Sequence, residues 1–141
     1  MKIVPDNIYE RQRVAVVDNA AVMYFTDEGE LFLLKMTYGG KKWGTLGGMI
    51  DPGETPKEAA IREVREEIGV DLEKIKCEWK FEFVWKDTMI YIVVGDYLRG
   101  IKLSDEHSAY AYVNIDGVLK MDLASYVKSS YKAFLNILDN Y

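Results

Sequence analysis

Three carboxylates crowd one short stretch of this chain. In Arg62-Glu63-Val64-Arg65-Glu66-Glu67, the glutamates 63, 66 and 67 stand at i, i+3 and i+4, so a helix sets them on one face. Like charges at that spacing cost roughly 0.2–0.5 kcal/mol per pair unless something neutralises them. A bound cation would offset the repulsion. Carboxylate oxygens are hard ligands, and hard ligands favour Mg²⁺ or Mn²⁺. The residue types therefore point to metal-assisted chemistry on a phosphate. The plain alternative is a solvated Glu/Arg stripe held by i to i+4 pairs.

The element that must carry these acids is well signalled. Thr55 is a good N-cap, Pro56 suits the first helical position, and Glu58 completes a capping box. Ala60, Ile61, Val64 and Ile68 form the apolar stripe that should face the core, and the three glutamates project away from it onto a solvated face. Gly69 can take the left-handed position after the last turn, with Val70 folding back as an apolar contact. Both ends of the helix are thus specified.

Around that helix the pattern is mostly strand. Arg13–Val17 and Ala21–Thr26 are β-rich, Asp27-Glu28-Gly29 is a turn signal, and Leu31–Lys35 returns as a strand. Its successive apolar residues predict cover on both faces. Residues 38–42 read as a flexible basic loop, and Thr45–Ile50 as a short glycine-rich segment. Cys77–Lys86 alternates, which places Trp79, Phe81, Phe83 and Trp85 on one side. That row reads as core or interface more readily than as a base-stacking surface. Lys86-Asp87-Thr88 turns into Met89–Val94; Leu103–Tyr110 is a polar loop; Tyr110–Ile115 is a strand. Val127, Tyr131, Phe134, Leu135 and Leu138 give a final helix, with Tyr126 and Tyr131 read as core or partner-facing. Strands on both sides of a central helix and a terminal helix imply a single α/β domain over residues 1–141 with a mixed sheet.

Bulk properties narrow the function. The chain has 141 residues, 49% apolar and 29% charged, which is globular and excludes a disordered chain. Its net charge of −5 leaves no basic surplus for a nucleic-acid backbone, while a small anionic ligand escorted by a metal remains compatible. Cys77 is the single cysteine, so no internal disulfide forms, which fits a reducing cytoplasm. No signal core and no run of the ~20 apolar residues a membrane helix needs is found, so the reading is of a cytoplasmic protein without a membrane partner.

The residues from Gly48 to Val70, GMIDPGETPKEAAIREVREEIGV, resemble the signature of the Nudix hydrolase family. Gly48, Glu54, Arg62, Glu63, Val64, Glu66, Glu67, Gly69 and Val70 fill its fixed positions at its spacing. The resemblance implies an α/β/α sandwich and a Mg²⁺- (or Mn²⁺-) dependent pyrophosphohydrolase acting by water attack at phosphorus. It implies that Glu63, Glu66 and Glu67 are metal ligands, joined by the carbonyl of Gly47, and that Arg62 orients the catalytic glutamate. Glu54 is supportive. Glu63 is one candidate base. The family also uses a glutamate from a late loop, for which Glu106 is the candidate, both as base and as metal ligand, with Asp105 as the fallback. His107, the sole histidine, reads as a surface or supporting residue. A homodimer is compatible with the family.

Substrate is less legible. The expected substrate is a small nucleotide, a nucleoside diphosphate linked to a further group. Lys35, Tyr38, Trp43 and Gly48 are the candidates to touch it; Lys41 and Lys42 read as a solvated loop before they read as phosphate ligands. Trp43-Gly44-Thr45-Leu46-Gly47-Gly48 resembles the entry of nucleoside triphosphate pyrophosphohydrolases, with Leu46 in place of a proline. Glu106-His107-Ser108-Ala109-Tyr110 is similar to a run in diadenosine tetraphosphate hydrolases, which usually carry a different sequence before the box. Nucleoside triphosphates, oxidised ones included, come first on this reading. Dinucleoside polyphosphates follow, then ADP-ribose and nucleotide sugars. A nucleotide sensor without turnover is the reading from another class, and the complete acid set argues against it.

Overall fold

A computed structural model describes residues 17–140. Seven strands and three helices follow in the order β1 (Asn19–Thr26), β2 (Glu30–Met36), β3 (Trp43–Gly44), β4 (Leu46–Met49), α1 (Pro56–Ile68), β5 (Cys77–Trp85), β6 (Thr88–Gly95), β7 (His107–Asn114), α2 (Ile115–Val118) and α3 (Ser125–Asp139). Residues 13–16 of the first expected strand lie outside the described residues.

The strands form one mixed sheet. β1 runs parallel to β6 and antiparallel to β4, β5 is antiparallel to β6, and β2 is antiparallel to β3 and β7. The central strands carry unbroken apolar runs, residues 20–25 on β1 and 31–34 on β2, because both their faces are covered. On β2, Phe32 and Leu34 pack in a cluster with Ala60, Val64 and Ile68 of α1. Leu31 and Leu33 pack in the opposite cluster, with Val127, Tyr131 and Phe134 of α3. One helix on each face of the sheet is the expected α/β/α sandwich. Among the described residues, no helix is long and apolar enough to cross a membrane.

α1 forms where its caps direct. Thr55 Oγ1 accepts the Glu58 amide at 3.1 Å, and Glu58 Oε1 accepts the Thr55 amide at 2.9 Å. Such a cap is worth about 1 kcal/mol. Gly69 closes the helix with φ 71°, its amide donating to the Arg65 carbonyl.

Two local expectations change. The aromatic row on β5 does not share one face. The register with β6 slips between Trp79 and Phe81, leaving Lys80 as an extra residue. That bulge turns the strand over. Trp79 packs with the α1 cluster, edge-on to Tyr91 at 5.3 Å, while Phe81, Phe83 and Trp85 pack with the α3 cluster. The second change is the last strand. β7 begins at His107, three residues before the expected Tyr110, because the main chain of residues 107–114 pairs with β2.

Candidate active site

The acids gather where β4 lies across α1. Gly47 and Gly48 of β4 pair with Ala21 and Ala20 of β1, and this puts the two glycines against the helix face. A Cβ on Gly47, at φ 142°, would sit 2.4 Å from the Ala20 carbonyl oxygen. A Cβ on Gly48 would sit 2.4 Å from Glu63 Cδ. Only glycine lets the strand approach the carboxylate this closely.

Contact with β4 divides the three glutamates. The sequence reading leaves all of them on a solvated face. In the structure the side chain of Glu66 is 58% exposed, but those of Glu63 and Glu67 are only 17% and 12% exposed. β4 covers Glu63 and Glu67, and a loop before β7 closes over Glu67. Helix periodicity reports the direction of a side chain, not what another segment lays upon it.

Arg62 binds much of the cluster together. Its Nε donates to Glu54 Oε2 at 2.7 Å and its Nη2 to Glu54 Oε1 at 3.0 Å, a two-pronged pair. Nη1 donates to Glu63 Oε1 at 3.0 Å and to Glu66 Oε2 at 3.2 Å, and Nη2 also donates to the Met49 carbonyl. The arginine holds Glu54 below the usual carboxylate range. Burial pushes Glu63 up, against the pull of Arg62.

Glu67 stands apart. Its Oε1 accepts the Gly47 amide at 2.8 Å. Among the described residues its one ionic neighbour is His107, with Nε2 3.7 Å from Oε2, and burial holds that imidazole below its ordinary range. Burial first, then the charges of Glu63, Glu106 and Glu66, push the Glu67 carboxyl to about 8, although the Gly47 amide pulls the other way. A buried acid that accepts an amide, faces three other acids and lacks a permanent cation is a fit for a divalent ion. In this arrangement no three acid or histidine side chains among the described residues close round one point. Glu63 and Glu66 turn to Arg62, and Glu67 to Gly47.

Glu106 reaches the cluster by way of the helix end. The last carbonyls of α1 need partners. The Lys102 amide donates to the Ile68 carbonyl and the Ser104 amide to the Glu67 carbonyl, at 2.9 and 3.0 Å. The following turn is pinned by the Thr37 amide, which donates to the Glu106 carbonyl at 2.9 Å. Glu106 itself is exposed, and its charge is felt by both Glu67 and His107. His107 is buried rather than at the surface, its Nδ1 3.1 Å from Ser104 Oγ.

A cavity of about 440 Å³ opens beside the acids. Gly47, Gly48 and Glu67 form one wall, and Tyr38 and Tyr126 also line it. Lys35 and Trp43 do not line it. Lys35 Nζ lies 6.0 Å from the Trp43 ring, and Trp43 packs toward the α3 cluster. Sequence reasoning did not single out Asn19, Asp87 or Thr88, which lie at the sheet end of the cavity, nor assign Tyr126 to it. The turn signal at Lys86–Thr88 marks a hairpin but carries no sign of what the hairpin faces.

A family model described as the NUDIX domain matches residues 16–134. A bis(5'-nucleosyl)-tetraphosphatase (asymmetrical) of Sus scrofa is 32% identical over 119 residues, covering 77% of this chain and 76% of that protein. Among solved structures, a C. elegans Ap4A hydrolase binary complex has a TM-score of 0.69 at 20% identity, covering 87% of this chain and 99% of that one, a likeness of fold. A MutT protein from Methanosarcina mazei Go1 has a TM-score of 0.63 at 26% identity, covering 86% of this chain and 94% of that one.

Proposed function

The chain belongs to the Nudix family of pyrophosphohydrolases, which act on phosphorus anhydrides of small nucleotides, and on that premise we propose that it splits the polyphosphate bridge of a bis(5'-nucleosyl) tetraphosphate. The sequence alone ranks a nucleoside triphosphate first. Two things reverse the order. A relative that matches 77% of the chain is a bis(5'-nucleosyl)-tetraphosphatase. The run Glu106-His107-Ser108-Ala109-Tyr110 sets His107 Nε2 3.7 Å from Glu67 Oε2, whereas Trp43, the first residue of the triphosphate-type entry, does not line the cavity.

The observation that carries the reading is a shared wall. Gly47, Gly48 and Glu67 belong both to the acid cluster and to the cavity. At about 440 Å³ the cavity is at the small end for ligand sites, room for one nucleotide. The rest of a long phosphate bridge would then run out past the exposed Glu66.

Within this reading Glu63, Glu66, Glu67 and the Gly47 carbonyl would hold Mg²⁺ (or Mn²⁺), which supplies charge neutralisation on the bridge oxygens. Arg62 fixes Glu63 and Glu66 in position and is a positioning residue. Glu106 accepts the proton of the attacking water, because Glu63 already has an oxygen committed to Arg62. Tyr38, exposed at the cavity mouth, offers a ring to a base.

A panel of dinucleoside tetraphosphates, nucleoside triphosphates, ADP-ribose and nucleotide sugars tests the proposal, with products separated and labelled water marking the attacked phosphorus. The expected result is one nucleoside triphosphate and one monophosphate per tetraphosphate cleaved. A kcat/KM about tenfold higher for triphosphates would return the order to the one read from sequence. Binding without release identifies a sensor.

A further inference from the structure

The cavity has a second polar end that the acid cluster does not explain. Thr88 Oγ1 donates to Asp87 Oδ1 at 3.3 Å, and both residues line the cavity with Asn19 and Tyr126. Thr88 is 2% exposed, so its hydroxyl is a fixed part of the wall. The Asp87 backbone is fixed too, since its carbonyl accepts the amides of Asp18 and Asn19 at 2.8 and 3.1 Å. Tyr126 faces this pair. Its phenol is pushed up by burial, eased by a hydrogen bond with Thr88, and raised again by the Asp87 charge.

Sheet register sets the distance between the two ends. Gly47 and Gly48 pair with Ala21 and Ala20 on one side of β1, and Thr88 pairs with Asn19 on the other. Two strand spacings separate them, about 10 Å. One nucleotide can bridge that span, phosphates at Glu67 and base at Asp87.

An ionised carboxylate only accepts hydrogen bonds. Phosphate oxygens only accept as well, and like charge repels them. A nucleotide must meet Asp87 with donors, a ribose hydroxyl or the N–H groups of its base, and paired N–H groups engage both carboxylate oxygens at once. Among the common bases, guanine alone offers two side by side, its ring N1–H and exocyclic amine. Adenine and cytosine set a ring acceptor next to their amine, and uracil flanks its N–H with carbonyls. Thr88 occupies one lone pair of Oδ1, which leaves Oδ2 and the rest of Oδ1 for a two-pronged pair. We propose that Asp87 selects the base, reading the donor edge of guanine, so that the site prefers guanine nucleotides to adenine nucleotides. The inference rests on the reading of this cavity as a nucleotide site.

The test uses the full chain with Mg²⁺. Binding of GMP and AMP is measured by calorimetry. In parallel, kcat/KM is measured for bis(5'-guanosyl) and bis(5'-adenosyl) tetraphosphate, with the natural chain and with Asp87→Asn. A two-pronged contact to a base predicts a guanine preference of about tenfold or more in both measurements. Asp87→Asn keeps the size of the side chain and replaces one acceptor by a donor, so the guanine-to-adenine ratio should fall about tenfold. A natural chain without guanine preference, or a ratio that Asp87→Asn leaves unchanged, overturns the assignment. If GMP is preferred but no tetraphosphate is cut, the substrate reading falls and the base reading stands. If neither mononucleotide binds and neither tetraphosphate is cut, both fall.

Discussion

The Gly47 amide donates to Glu67 Oε1 at 2.8 Å, and this bond fastens a glycine-rich strand to the acid face of α1. It joins the two parts of the site that are 20 residues apart in sequence. It also puts a carboxyl that burial pushes to about 8 at the wall of the cavity.

Glu67→Gln separates the roles of that group. Glutamine keeps an oxygen for the Gly47 amide, so the fold survives, and melting of the metal-free protein near pH 8 stays unchanged or rises. Turnover falls at least ~10²-fold, because the charge needed to hold a metal is gone. Steady-state kinetics beside a thermal melt checks this; near-normal turnover in a metal-loaded variant removes Glu67 from the ligand set.

The pH dependence of the metal-free protein has a definite sign. Glu67 moves from an ordinary 4.5 to about 8 on folding. Below 4.5 both states hold the proton and the group has no effect. Between 4.5 and 8 the folded chain keeps a proton that the unfolded chain has lost, so this group lowers stability as pH rises, and the loss is complete above 8. A divalent ion displaces that proton. The rise in melting temperature on adding Mg²⁺ should therefore grow from pH 5 toward pH 8. A rise that is the same at every pH would count against the assignment.

Gly48→Ala places a methyl where the Glu63 carboxyl sits, 2.4 Å from Cδ. Glu63 must move, at a stability cost of about 1–3 kcal/mol. Turnover should fall roughly 10²-fold, since small displacements of a catalytic group are enough to do so. Retained activity with a displaced Glu63 in a crystal structure contradicts its role.

Arg62→Lys keeps the charge but loses the fork that engages Glu54, Glu63 and Glu66 together. The expected outcome is about 1–3 kcal/mol of lost stability and more than ~10-fold lower turnover. Denaturant melts and initial rates measure both; an intact rate shows that Glu63 and Glu66 need no such anchor.

Glu106→Gln should lower kcat by roughly 10²-fold or more with little change in KM, as loss of a base does. Its side chain is exposed, so stability is unaffected. An unchanged kcat removes Glu106 from the chemistry.

Local signals carried much of the outline. The capping box at Thr55 and Glu58, the left-handed Gly69 and the apolar stripe on α1 each appear where the sequence sets them. The alternation of β5 misled at Lys80, because a bulge has no reliable signature in a pattern of alternate residues.

What the sequence determined by itself is the acid helix: its ends, its apolar face, and the order of Arg62, Glu63, Glu66 and Glu67 along it. Those follow from contacts within a few residues, which spacing encodes directly. The tertiary structure alone decided that Glu67 is buried under β4, that a loop bound to the helix C-terminus brings Glu106 close enough for its charge to act on Glu67, and that Asp87 and Tyr126 line one cavity. These depend on which strand pairs with which. A carboxylate's environment is set by neighbours distant in the chain, and no local pattern records them.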